Sequence, residues 1–177
     1  MAGPRRQDDV VIRERQAADD DAIRQLNDAA FGGLDESRLV EGLRAVHLAA
    51  VELVAVEGTA VTGHILFSPL AVTCGKKAIR ALSLAPMSVQ PGQQRSGIGS
   101  ALVRAGLKAA KARGWQAVFV LGHPDFYPRF GFSTALARPF KAPFSGEAFM
   151  ALELEPGALD GGDGHVVYPP PFGITAD

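Results

Sequence analysis

A mixed α/β sheet, mostly antiparallel and flanked by helices, is the fold class predicted for these 177 residues, and three observations predict it. The elements run strand, two helices, three hairpin-like strands, helix, strand, helix, strand, which is not the regular alternation of a doubly wound fold. The run Ala117–Leu121 is wholly apolar, the mark of a strand buried on both faces. Pro86 interrupts a long extended segment. A residue that cannot donate to a ladder predicts a bulge or a lost neighbour there.

Each element has a local reason. Residues 10–15 open with Val10-Val11-Ile12 and read as a strand. Asp19, Asp20 and Asp21 are N-cap and first-turn residues for a helix carrying Ile23, Leu26, Ala29 and Ala30 at helical spacing. Phe31-Gly32-Gly33 stops it. Ser37 is expected to open a second helix with Leu39, Val40, Leu43 and Val46 on its apolar side. Strands are expected over residues 49–56, 60–69 and 78–89, with turns at Glu57-Gly58 and Gly75. Ile98, Leu102, Ala105, Ala109 and Ala112 form the stripe of a long helix. Lys108, Lys111 and Arg113 suit the negative end of its dipole, and Gly114 suits its C′ position. A short helix over 126–130 and a final strand over 149–154 complete the series. The domain is expected to occupy residues 9–157, between a tail at 1–8 and an irregular C-terminal extension at 158–177.

Composition narrows the functional classes. With 18 basic and 19 acidic residues the net charge is −1, so neither a nucleic acid nor an anionic membrane surface is expected as a partner. The single cysteine, Cys74, excludes an intrachain disulfide and a cysteine-based zinc site. His47, His64, His123 and His165 lack metal-ligand spacing, and no metal is expected. No apolar run is long enough to span a bilayer, and residues 1–9 are polar and charged. A cytoplasmic location is the expectation.

The most informative stretch is Gln93-Gln94-Arg95-Ser96-Gly97-Ile98-Gly99-Ser100, between the strand ending at Val89 and the long helix. Two glycines at a helix start let a ligand approach the backbone closely. First-turn N–H groups have no helical partner, and with the helix dipole they make an anion site. Arg95 adds a full positive charge, and a pyrophosphate fits such a place. Two other phosphate motifs fail. No stretch matches a P-loop, and Leu102 stands where a dinucleotide fingerprint needs its third glycine.

Gln94-Arg95-Ser96-Gly97-Ile98-Gly99 resembles the Gln/Arg-x-x-Gly-x-Gly/Ala signature of the GNAT acyltransferase superfamily. Downstream, Tyr127-Pro128-Arg129-Phe130-Gly131-Phe132 is similar to that family's Tyr-x-x-x-Gly-Phe segment. The resemblance covers roughly residues 10–155, and the wording around Phe126 and Tyr168-Pro169-Pro170 is similar to a bacterial subgroup of acetyltransferases. It implies the GNAT acyl-CoA N-acyltransferase fold and transfer of an acetyl group from acetyl-CoA, as cosubstrate, to a primary amine. Backbone groups of Met87, Ser88 and Val89 would then meet the pantetheine arm, and N–H groups from Arg95 to Ser100 the pyrophosphate, with Gln94 beginning the motif. The fourth and fifth strands would splay apart to admit the thioester, and Pro86 suits such a splay. Dimers are common among relatives, so a homodimer is the assembly the resemblance suggests.

Tyr127 is the candidate general acid that the resemblance implies. A phenol can protonate, or hydrogen-bond, the thiolate that leaves a thioester. Many relatives carry an asparagine in a longer connection before this tyrosine; here the link is Gly122-His123-Pro124-Asp125. For the base that frees the amine, Asp125, His123, Glu36, Asp35 and a water chain all stay open, and Ser83 could only order a water. Two alternatives share the same turn: a non-catalytic acyl-CoA-binding regulatory module, and an enzyme using another acyl-CoA.

Overall fold

The apolar run at Val10 forms strand β1 (Val10–Glu14) in the computed structural model, which describes residues 9–161 and 163–174. The tail expected at residues 1–8 lies outside the described residues. Helix α1 (Asp20–Phe31) ends at Gly32, whose φ of +71° closes it in the left-handed region. Helix α2 (Asp35–Ala45) begins two residues before Ser37, the expected opening residue. Ser37 is instead buried and donates to Asp28 Oδ1 at 2.5 Å, which ties α2 to α1.

Strands β2 (Val51–Glu57), β3 (Ala60–Cys74) and β4 (Lys77–Val89) form an antiparallel meander. β3 runs through Pro69, past its expected end. On one side Pro69 pairs with Leu82 of β4. On the other it falls between the last β2 rung, at Phe67, and the first rung of a later strand, at Ala71. The missing N–H therefore costs no ladder bond.

Helix α3 (Ile98–Ala112) returns the chain to β5 (Ala117–Leu121), which lies parallel to β4. A 3-10 turn (Tyr127–Phe130), α4 (Thr134–Ala137), β6 (Phe140–Lys141), β7 (Phe149–Glu153) and β8 (Gly164–Val167) follow. The sheet order is β1-β2-β3-β4-β5-β7, with β8 pairing β3 and β6. The β4–β5 and β6–β8 pairs are parallel and the rest antiparallel, so the expected mixed sheet is present. The irregular extension expected at 158–177 is corrected in one respect: it contains β8, and Leu159, Val166 and Tyr168 are buried.

The two sides of the sheet are packed differently. α3 lays Ile98, Leu102, Val103 and Ala110 on Leu53, Ile65, Phe67, Leu82 and Val118. Glycine permits the close approach. A Cβ on Gly106 would stand 2.3 Å from the Phe67 ring, and one on Gly63 2.8 Å from Leu102. The opposite side carries α1 and α2, with Val40, Leu43 and Leu66 as an apolar patch and Asn27, Glu52 and His64 buried beside it.

Candidate active site

The site begins where β4 leaves β5. Their ladder runs from Ala81↔Ala117 to Leu84↔Val120 and stops. β4 continues to Val89 with β3 alone as its partner, while the end of β5 pairs with β7. The step from Leu84 to Met87 on β4 faces the step from Phe67 to Ile65 on β3, three residues against two. The extra residue is a bulge at Ala85-Pro86, as expected of a proline in a ladder. Beyond it, one backbone edge of residues 87–89 faces the gap between the parted strands.

Met87 and Val89 turn their side chains toward α3, within its apolar cluster. Ser88 points the other way, buried opposite His64 in the register, with no hydrogen-bond partner for its Oγ among the described residues. From Ser88 only the backbone reaches the gap.

The turn after β4 is tightly built. Arg95 and Gly97 have φ of +66° and +89°, and Ser96 Oγ donates to the Gln93 carbonyl. Alternating handedness of this kind gathers successive N–H groups into an anion-binding concavity. Gly97 is the N-cap of α3, no side chain caps the helix, and its first turn holds no acid. The Ile98, Gly99 and Ser100 N–H groups have no acceptor among the described residues, and the first helical bond is from Ala101 N to Gly97 O, 3.0 Å. The Ile98 side chain is buried in the core. A Cβ on Gly99 would meet Met87 at 3.5 Å and Val89 at 3.6 Å, ordinary contacts. The protein's own packing does not demand that glycine. Gln94 and Arg95 are exposed, and Ser100 is half-buried. A diphosphate fits this uncapped, positively flanked helix start.

Tyr127 opens the 3-10 turn and is 7% exposed. Its ring lies on Gly122, where a Cβ would stand 2.2 Å away, and packs edge-on against Phe126 and Phe132 at 5.0 and 5.6 Å. Burial pushes its phenol up to about 12, so it is protonated at neutral pH. Tyr127, Met87, Val89 and Ile98 belong to one apolar cluster on the α3 side of the sheet.

The candidate bases are dispersed. His123 and Asp125 are exposed in the link, and Asp35 and Glu36 occupy the first turn of α2. Ser83 is buried on β4, close enough to the Tyr168 phenol to oppose the upward push of burial on that group. A further ionisable group lies under α1. Glu52 accepts from Arg44 at 2.5 Å and from His64 Nε2 at 2.7 Å, and His64 Nδ1 faces the Asn27 amide nitrogen at 3.3 Å. Asn27 also donates to Ile23 O, so His64 Nδ1 is the acceptor and Nε2 carries the proton. Burial pushes His64 down and keeps it neutral. Burial raises Glu52, but the hydrogen bonds from His64 and Arg44 outweigh this and hold it at about 2. Nothing in the sequence marks this cluster, because strand register creates it. Gly122 carries a sequence signal of its own: a glycine directly after an apolar strand, five residues before a tyrosine.

The model of an acetyltransferase (GNAT) domain family matches residues 11–135. The uncharacterized N-acetyltransferase YjhQ of Escherichia coli K12 is 37% identical over 136 residues, covering 75% of this chain and 74% of that protein. The uncharacterized N-acetyltransferase YhbS of the same strain is 31% identical over 162 residues, covering 90% and 96%. A crystal structure of Escherichia coli YhbS in complex with CoA superposes with a TM-score of 0.87 at 28% identity, over 99% of this chain and 97% of that one. A GNAT acetyltransferase from Brucella melitensis, in complex with acetyl-CoA, gives 0.77 at 33% identity, over 92% and 97%. Among the described residues no helix is long and apolar enough to cross a membrane, and no three His, Cys, Asp or Glu side chains group as metal ligands.

Proposed function

The chain belongs to the GNAT acetyltransferase family, and we propose that it moves the acetyl group of acetyl-CoA to a primary amine of a small molecule or peptide. The observation that carries this reading is the uncapped start of α3 beside the parted β4 and β5. The relatives from Escherichia coli and Brucella melitensis, solved with CoA and acetyl-CoA, support it.

Each part of the site has a role in this reading. The N–H groups of Ile98, Gly99 and Ser100, with Arg95, hold the pyrophosphate at the positive helix end. The free backbone edge of Met87, Ser88 and Val89 pairs with the amide groups of the pantetheine arm, as a strand would. Tyr127 keeps its proton at neutral pH and donates it to the departing sulfur. Holding amine and thioester in one gap supplies proximity, which can carry much of the acceleration.

Isothermal titration with acetyl-CoA and CoA, with the Gly97→Trp variant alongside, tests the turn. Binding in the wild type and its loss in the variant are expected; a wild type that binds neither ligand rejects the reading. Thiol release with a panel of primary amines then tests transfer. General acid catalysis is worth about 10²–10⁴-fold, so Tyr127→Phe should lower kcat by at least ~10²-fold with CoA affinity unchanged. An equal loss in both would remove Tyr127 from the acid role. Tight CoA binding with no turnover on any amine would favour a non-catalytic module.

A further inference from the structure

Beyond the turn, four side chains interleave in a row that the acetyl-transfer reading leaves unused. Arg104 stands on α3 seven residues after Gly97, a rise of about 10 Å along the axis. Its Cζ lies 5.2 Å from the centroid of the Phe130 ring. Phe130 meets Phe126 edge-on at 5.1 Å, and Arg129 Cζ lies 5.9 Å from the centroid of Phe126. Both arginines are exposed, and both rings are half-buried in the α3-side cluster that also holds Tyr127. The row therefore joins α3 to the 3-10 turn on the side of the sheet where the coenzyme turn opens.

These arginines differ from others in the molecule. Arg13, Arg15, Arg24, Arg44 and Arg113 are each tied to a carboxylate. Arg104 and Arg129 have no ion pair among the described residues. An aromatic face under a guanidinium orients it without neutralising it. The N–H rim stays available for a forked bond to a phosphate, the geometry in which arginine exceeds lysine.

Coenzyme A carries two separate phosphate groups, the pyrophosphate and a monoester on the ribose 3′-oxygen. With the pyrophosphate on the α3 start, the monoester is the charge still needing a partner. We propose that Arg104 and Arg129, seated on Phe130 and Phe126, bind the 3′-phosphoadenosine end and make the chain selective for CoA over dephospho-coenzyme A. This rests on the coenzyme placement proposed above.

Isothermal titration of the intact protein with CoA and with dephospho-coenzyme A tests it, first on the wild type and then on Arg104→Gln and Arg129→Gln. The wild type is expected to bind CoA about tenfold or more tightly than dephospho-coenzyme A, with the gap narrowing as salt rises. Each variant should weaken CoA by roughly 3–10-fold and leave dephospho-coenzyme A unchanged, since a charged hydrogen bond is lost only with the monoester present. Arg104→Lys should fall between, keeping the charge and losing the fork. Equal wild-type affinity for the two ligands overturns the proposal and leaves the turn untouched. So does an equal loss of both ligands in the variants, which would mark the arginines as packing residues. A wild type that binds neither ligand removes the coenzyme placement and this proposal with it.

Discussion

The side of the sheet under α3 buries Leu53, Ile65, Phe67, Leu82 and Val118 against Ile98 and Leu102, while the side under α1 and α2 buries Asn27, Glu52 and His64. On the first side, contact is close because glycine removes atoms. On the second, contact holds because the buried charge is partnered: Glu52 lies between Arg44 and His64, and Arg44 reaches on to Asp20 at 3.2 Å. The polar groups of the α3 side are left at its edge, as free N–H groups at the helix start and as arginines on aromatic rings. A buried charge must be neutralised within the protein, so the α1–α2 side is closed. The α3 side leaves the N–H groups of its helix start, and Arg104 and Arg129, without a protein acceptor or ion pair among the described residues.

The largest effect should come from breaking the closed side. Glu52→Ala leaves Arg44 and His64 around a void, and breaking a buried pair costs about 3–5 kcal/mol. Denaturant unfolding should register that loss with CoA affinity preserved in the fraction that stays folded. A loss below ~1 kcal/mol would show that the network is solvated in solution. Next comes Gly106→Ala, whose new methyl would meet the Phe67 ring at 2.3 Å; overpacking of this kind costs about 1–3 kcal/mol. Gly99→Ala, on the same helix, sharpens the contrast. Its methyl meets only ordinary contacts, so stability should change by less than about 0.5 kcal/mol. Titration should nevertheless show CoA weakened about tenfold or more, because the close backbone approach is lost.

The smallest effect is a pH dependence. The His64 pKa is lowered from 6.5 by burial, so the unfolded chain gains a proton first as pH falls through that value, and stability declines. Glu52, held at about 2 against 4.5, contributes stability that is present above 4.5 and lost as pH falls toward about 2. Thermal melts should decline in both windows, and His64→Gln should flatten the upper one. A wild-type midpoint constant from about pH 7.5 to 5 would contradict a buried neutral imidazole.

Much of the candidate site was legible in the chain because its parts are local. Gly97 and Gly99 lie in one turn, Tyr127 in one short motif, and Pro86 announced the bulge from its missing donor. The Glu52–His64 pair was not legible, since its members lie on different strands and meet only through register. β8 was missed because it is four residues long, follows glycines, and pairs with residues some ninety positions earlier. Arg104 and Phe130 are 26 residues apart and read separately as a surface charge and a core ring.

By itself the sequence determined the mixed sheet, the long helix and the glycine turn that opens it, because periodicity, glycine placement and capping act within a few residues. Only the tertiary structure decided which side of the sheet would be closed over charge. It also decided that Ser88 would turn away from the gap, and that Tyr127 would lie on Gly122 with its phenol pKa raised by burial. Those outcomes depend on strand register and desolvation, which arise when distant segments pack together.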